Sequence, residues 1–133
     1  PSLAGIEEIA FGDLFLQDVR DYRERQCAAV GLRARFPLWA LDTRALARRF
    51  IALGFRARIV CLDPRVLPPA LAGRPYDEQL LAELPRGVDP CGENGEFHTF
   101  VHDGPGFRTP VACRPGEVVT RDGFVFADLR AGG

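Results

Sequence analysis

The sequence predicts an α/β fold in which a parallel sheet is followed by a small β-rich module. Three observations carry this. Over residues 1–63, β-prone apolar runs alternate with segments of helical period across loops of a few residues, the pattern of βαβ units with right-handed crossovers. Prolines then punctuate the chain, seven of the eleven falling from Pro64 to Pro105. After Gly95 the apolar period switches to two, the mark of short strands.

Taken in order, residues 6–11 (IEEIAF) read as a buried strand ending at Gly12-Asp13. A helix is predicted over residues 16–30, with Leu16, Val19, Cys27 and Val30 on one face and Gly31 where a C-cap glycine belongs. Residues 33–39 form a short strand that Pro37 confines to an edge or terminal position. Asp42-Thr43 caps a helix over residues 44–53, its apolar face formed by Leu46, Phe50 and Leu53, and Gly54 ends it. Residues 55–62 contain the run Ile59-Val60-Cys61-Leu62, the pattern of a parallel strand covered on both faces. A short helix fits residues 77–84. Strands are predicted at residues 97–101, 109–113, 117–121 and 124–128, with Arg121-Asp122-Gly123 as a hairpin turn. This divides the chain at Asp63, into an α/β part over residues 1–63 and a Pro-rich connection with a β-rich module over residues 64–133.

Seventeen basic and 18 acidic residues, spread without runs, provide no field that would gather nucleic acid or an anionic membrane surface. No apolar stretch approaches the roughly 20 residues needed to cross a bilayer, so the chain reads as cytoplasmic. Cys27, Cys61, Cys91 and Cys113 are widely spaced and read as free thiols in that compartment. Residue 1 is a proline and methionine is absent, which leads to the expectation that the chain begins inside a longer protein.

The densest chemistry lies in residues 89–100 (DPCGENGEFHTF), where carboxylates, an amide, a hydroxyl and an imidazole surround two glycines. Gly92 and Gly95 permit backbone conformations that bring a ligand close. A strand starting at Glu96 would put Glu96, His98 and Phe100 on one side, so that Glu96 and His98 form an orienting or proton-transfer pair. A solvated Gly-rich turn has the same composition, and both readings stand at this point. Trp39 reads as buried against the sheet, and Arg74 with Asp77 as a pair fixing the Pro-rich loop. A third reading makes Cys91, His98 and His102 ligands of a metal, although structural zinc sites favour close pairs on both sides and only one side qualifies.

Residues 92–105 (GENGEFHTFVHDGP) resemble the signature of the diphthine–ammonia ligase family, whose usual form is Gly-Glu-Gly-Gly-Glu-Phe-or-Tyr-x-Thr followed by an Asp-Gly-Pro or Asp-Ala-Pro turn. Three further segments agree in order: Phe11-Gly12-Asp13 with Arg20, Glu24 and Arg25 after it, Pro37-Leu38-Trp39 with Asp42, and residues 71–77 (LAGRPYD). The resemblance covers about residues 5–107. Asn94 for the usual Gly, His98 for the frequent Glu and Ala40-Leu41 for the frequent Gly-Arg point to a bacterial-type branch.

The resemblance implies a PP-loop ATP pyrophosphatase with part of a HUP-like doubly wound parallel sheet, and an ATP-dependent amide ligase that adenylates a carboxylate which ammonia then attacks. ATP and Mg²⁺ are the implied cofactors; the implied partners are ammonia and a small-molecule or protein-side-chain acid, with a homo-oligomer possible. The implied roles are catalytic for Glu93, Glu96 and His98, acid-binding for Gly92, Asn94, Gly95, Thr99, Asp103, Gly104, Arg20, Glu24 and Arg74, and nucleotide-binding for Gly12 and Asp13. The family's Ser-Gly-Gly-Lys-Asp-Ser phosphate loop does not occur in these 133 residues, so this polypeptide is not expected to hydrolyse ATP alone. The alternative is a non-catalytic binding module of the same fold.

Overall fold

The computed structural model describes residues 5–132. Two compact units divide between Asp42 and Thr43. In the first, β1 (Glu8–Ala10) and β2 (Arg33–Arg35) pair in parallel, Ile9 opposite Ala34, and α1 (Gln17–Ala29) connects them. Gly31 ends α1 as predicted: it adopts φ 75°, its amide donates to the Ala28 carbonyl, and Leu32 N donates to the Cys27 carbonyl at 2.9 Å. Cys27 is the buried residue of α1, whereas Val30 is exposed.

The burial expected of β1 is not found. Glu8 and Ala10 are exposed, because a ladder of two three-residue strands has little surface with which to cover both faces. Glu8 uses its exposure, accepting both Nε (3.0 Å) and Nη2 (2.9 Å) of Arg35, and this fork holds its carboxyl below the usual range.

The second unit contains α2 (Thr43–Ala52), β3 (Arg56–Leu62), a 3-10 turn at Pro69–Leu71, α3 (Glu78–Glu83), β4 (Phe97–Asp103), β5 (Cys113–Arg121) and β6 (Phe124–Ala131). Its sheet has the order β4-β3-β6-β5, and every neighbouring pair is antiparallel. This corrects the predicted parallel placement of β3. A continuous apolar run fits any central strand covered on both sides and carries no information about direction; direction here is set by β4 and β6.

Ile59, Leu62 and Leu80 are fully buried, packed with Ala47, Leu71, Tyr76, Phe97 and Val125. Each large side chain so buried contributes about 1.5–3 kcal/mol of transfer free energy. The buried stripe of α2 is rotated from the predicted one. Ala47, Phe50 and Ile51 face the core and Leu53 is exposed, since the small Ala47 lets the helix approach closely while Phe50 stacks on Phe55 at 4.8 Å and meets the edge of Tyr76 at 5.8 Å.

Residues 109–112 lie outside any strand, and the two short strands expected from 109 to 121 are replaced by the single β5, irregular between Pro115 and Val118. Pro115 is tolerated because β5 is the sheet edge. The hairpin turn is as predicted: Arg121 pairs with Phe124, and Asp122 and Gly123 both have positive φ (52° and 80°), the two-residue turn matched to strand twist. Among the described residues no helix is long and apolar enough to cross a membrane.

Candidate functional site

The polar segment flagged in the sequence forms a loop from Asp89 to Glu96 that feeds directly into β4. Its interior is filled by its own carboxylates. Glu96 is only 7% exposed, and its two oxygens each accept a backbone amide, Oε2 from Asp89 N at 2.6 Å and Oε1 from Asn94 N at 2.8 Å. Asp89 Oδ2 accepts Cys91 N and Glu93 N, both at 3.1 Å. Gly92 N donates to the Asp89 carbonyl and Gly95 N to the Gly92 carbonyl.

Three anchors hold the loop on the core. The buried Tyr76 hydroxyl donates to the Pro90 carbonyl, Cys91 Sγ donates to the Thr43 carbonyl at 3.3 Å, and Glu96 O accepts from Asp63 N at 2.9 Å. Burial pushes the Tyr76 phenol well above its ordinary pKa, with charge at Cys91, Asp89 and Glu78 acting in the same direction. Tyr76 is positioned by residues 73–76 running beside β3, where Gly73 N donates to Ile59 O and Tyr76 N to Ala57 O, both at 2.8 Å.

Two glycines are required here. Gly92 has φ 66°, and a Cβ on it would meet the Phe97 carbonyl oxygen at 2.8 Å. Gly104, with φ 142°, crosses Phe55 so closely that a Cβ would come within 2.9 Å of Phe55 Cα. Asp103 Oδ1 accepts Gly104 N at 2.8 Å, so Asp103 and Gly104 build the turn that makes this crossing.

The pairing of Glu96 with His98 is corrected. Both Glu96 oxygens are taken by loop amides at the entry to β4, while His98, opposite Cys61, is exposed. His98 and Thr99 instead line an open trough of about 1050 Å³ whose apolar floor includes Val60, Phe100, Phe124 and Phe126. The period-two alternation of Phe124-Val125-Phe126-Ala127 was the signal for this floor.

Arg74 is also redirected. It pairs with Glu83, while Asp77 caps α3 by accepting Leu80 N at 2.8 Å. Asp77 is thereby satisfied within its own helix. In the first unit, Asp13 pairs with Arg23 at 3.1 Å, and Arg23 lies over the Phe11 ring at 4.8 Å. Gly12 is exposed before this pair. Arg20 lies over the rings of Phe36 (4.5 Å) and Trp39 (4.8 Å) and bonds Glu24 at 3.2 Å, so Trp39 is half-buried under a cation.

Among the described residues no group of three His, Cys, Asp or Glu converges to hold a metal. The Cys91, His98, His102 reading is set aside on geometry: the Cys91 thiol faces Thr43 while His98 faces the trough. Of the acids that the resemblance implies, Asp13 is paired with Arg23 and both oxygens of Glu96 are occupied by amides.

A family model described as diphthamide synthase C-terminal domain matches residues 42–125. The chain belongs to this family. The match opens beside the boundary between the two units and contains the whole Asp89–Glu96 loop. The diphthine–ammonia ligase of Bos taurus is 32% identical over 129 residues, covering 93% of this chain and 48% of the relative. That of Homo sapiens is 31% identical with the same coverage, and that of Schizosaccharomyces pombe is 28% identical over 119 residues, 86% of this chain and 20% of the relative. The chain thus spans about half the length of its mammalian relatives.

Within the family, two residues that the sequence reading passed over as site members, Asp89 and Tyr76, hold the signature loop in shape. An Asp whose side chain can reach the amides two and four positions further on is the local signal for the first. Nothing in the sequence signals the reach from Tyr76 to Pro90.

Proposed function

We propose that this chain is the acid-handling portion of an ATP-dependent amide ligase similar to diphthine–ammonia ligase. The observation that supports it is the Asp89–Glu96 loop: a family signature whose amides from Cys91 to Gly95 are all bonded within the loop, presenting Glu93 and Asn94 at its apex. In such a reaction a carboxylate oxygen attacks the α-phosphorus of ATP and pyrophosphate departs. Ammonia then adds to the carbonyl carbon, and AMP leaves with that oxygen. Rigid placement is what the first step demands, because well-oriented reactants gain about 7–11 kcal/mol over free encounter.

In this reading Glu93 and Asn94 face the acid, with Gly92 and Gly95 shaping the apex. Glu96 holds the loop rather than touching substrate. His98, Thr99, Asp103, Gly104 and Arg74 belong to the second unit, and Gly12 and Asp13 of the first unit belong to the nucleotide side. The reading extends to a cytoplasmic PP-loop enzyme in which β1 and β2 are part of a HUP-like doubly wound sheet and residues 64–133 carry the acid. Phosphate and Mg²⁺ contacts are not assigned to the residues described.

The test uses the complete gene product, assayed for pyrophosphate release with ATP, ammonia and either diphthine or a panel of small carboxylic acids. Release that requires both ammonia and an acid, and that falls about tenfold or more in Glu93→Gln, supports the ligase. Acid binding without pyrophosphate release favours the binding module.

A further inference from the structure

We infer that Asp89 is a positioning residue: its carboxylate sets where the Glu93 backbone stands, and through it the apex of the loop. This role rests on the ligase reading for its effect on turnover, but the geometry stands apart from it. A single oxygen, Asp89 Oδ2, receives the amides of both Cys91 and Glu93. The base of the loop has other anchors, at the Pro90 carbonyl and the Cys91 thiol. For the amide of Glu93, Asp89 is the acceptor the structure supplies.

A second consequence follows from the same bonds. Glycine-containing loops often offer their amides to a bound anion, but here the amides of Cys91, Glu93 and Asn94 are taken by Asp89 and Glu96, and those of Gly92 and Gly95 by loop carbonyls. The loop's anion hole is filled from within. An incoming carboxylate is therefore met by side chains at the apex and not by the backbone, and the accuracy of that meeting depends on Asp89.

The experiment compares Asp89→Ala with Asp89→Asn in the complete protein. Asn keeps one oxygen in the place of Oδ2, the atom that accepts both amides. Asp89→Ala should lower kcat for ammonia-dependent pyrophosphate release by about tenfold or more with KM for ATP unchanged, while Asp89→Asn restores most of the rate. In hydrogen exchange, the Cys91 and Glu93 amides should lose protection in Asp89→Ala and keep it in Asp89→Asn, with the Asn94 amide protected in both. Wild-type kcat in Asp89→Ala, or Asn as damaging as Ala, overturns the role. If Asp89→Ala does not fold, Asp89→Asn decides: kept rate and kept protection support the role, and loss of either overturns it. If the wild-type protein releases no pyrophosphate, the ligase reading fails by itself, and Asp89 is judged by exchange at Cys91 and Glu93.

Discussion

Glu96 holds the backbone of Asp89: the Asp89 amide donates to Glu96 Oε2 at 2.6 Å while the Asp89 carboxylate gathers the amides of Cys91 and Glu93. The two carboxylates differ in one respect. Both Glu96 oxygens receive an N–H, whereas one Asp89 oxygen receives two. Replacing Glu96 by its near-isostere Gln turns one acceptor into a donor facing a donor. Glu96→Gln is therefore expected to cost about 1–3 kcal/mol, more than Asp89→Asn, as read by urea denaturation of the two variants. Equal midpoints would show that Glu96 does not hold the loop.

The glycine series separates close approach from backbone strain. Gly95 (φ 79°) has nothing within 4 Å of a built Cβ, so Gly95→Ala carries only the left-handed penalty, about 1–2 kcal/mol. Gly92→Ala and Gly104→Ala add contacts with backbone at 2.8 and 2.9 Å, and overpacking of this kind adds about 1–3 kcal/mol. Thermal unfolding should rank both below Gly95→Ala, which in turn lies below wild type.

Ala40 occupies φ 63°, and its amide is fixed on the Leu14 carbonyl at 2.8 Å. A Cβ in that region is strained. Ala40→Gly should stabilise the chain by about 1 kcal/mol, seen as a rise of a few degrees in midpoint. A fall would mean that the lost backbone entropy outweighs the relieved strain.

Tyr76 gives a pH signature. Its phenol is held above its ordinary value chiefly by burial, so the folded state retains the proton that the unfolded chain loses above about pH 10. The stability due to this group is complete below that pH and declines as pH rises beyond it. All 17 basic residues are arginine, so no lysine titrates in the same range, although the Cys61 thiol, also raised by burial, acts in the same direction. Tyr76→Phe should cost about 1 kcal/mol at neutral pH through the lost bond to Pro90, and should flatten the alkaline decline measured by denaturation between pH 9 and about 11. An unchanged alkaline slope would contradict the burial of the phenol.

What was legible in the sequence followed from local chemistry. Gly31 and Gly54 ended their helices, Asp122-Gly123 made the hairpin turn, and the apolar run at residues 59–62 formed a core strand. What was not legible depended on partners distant in sequence. The direction of β3 was decided by β4 and β6, some 40 and 65 residues later in the chain. Glu96 looked like a reactive acid because polar residues in a Gly-rich loop read alike whether they face solvent or the loop's own amides; the amides of Asp89 and Asn94 take its two oxygens, and His98 is left exposed. Nothing local to Arg20 in the sequence signals the rings of Phe36 and Trp39 that lie beneath its guanidinium.

A ligase that activates a carboxylate as its adenylate leaves an isotopic trace in the nucleotide, and the proposed function is decided by it. The complete protein is supplied with ATP, ammonia and the turnover-competent acid labelled with ¹⁸O in its carboxylate, and the nucleotide product is examined by mass spectrometry. AMP carrying one ¹⁸O is expected, because the oxygen that attacked phosphorus departs with AMP. Unlabelled AMP, or ADP with the label in inorganic phosphate, would contradict it.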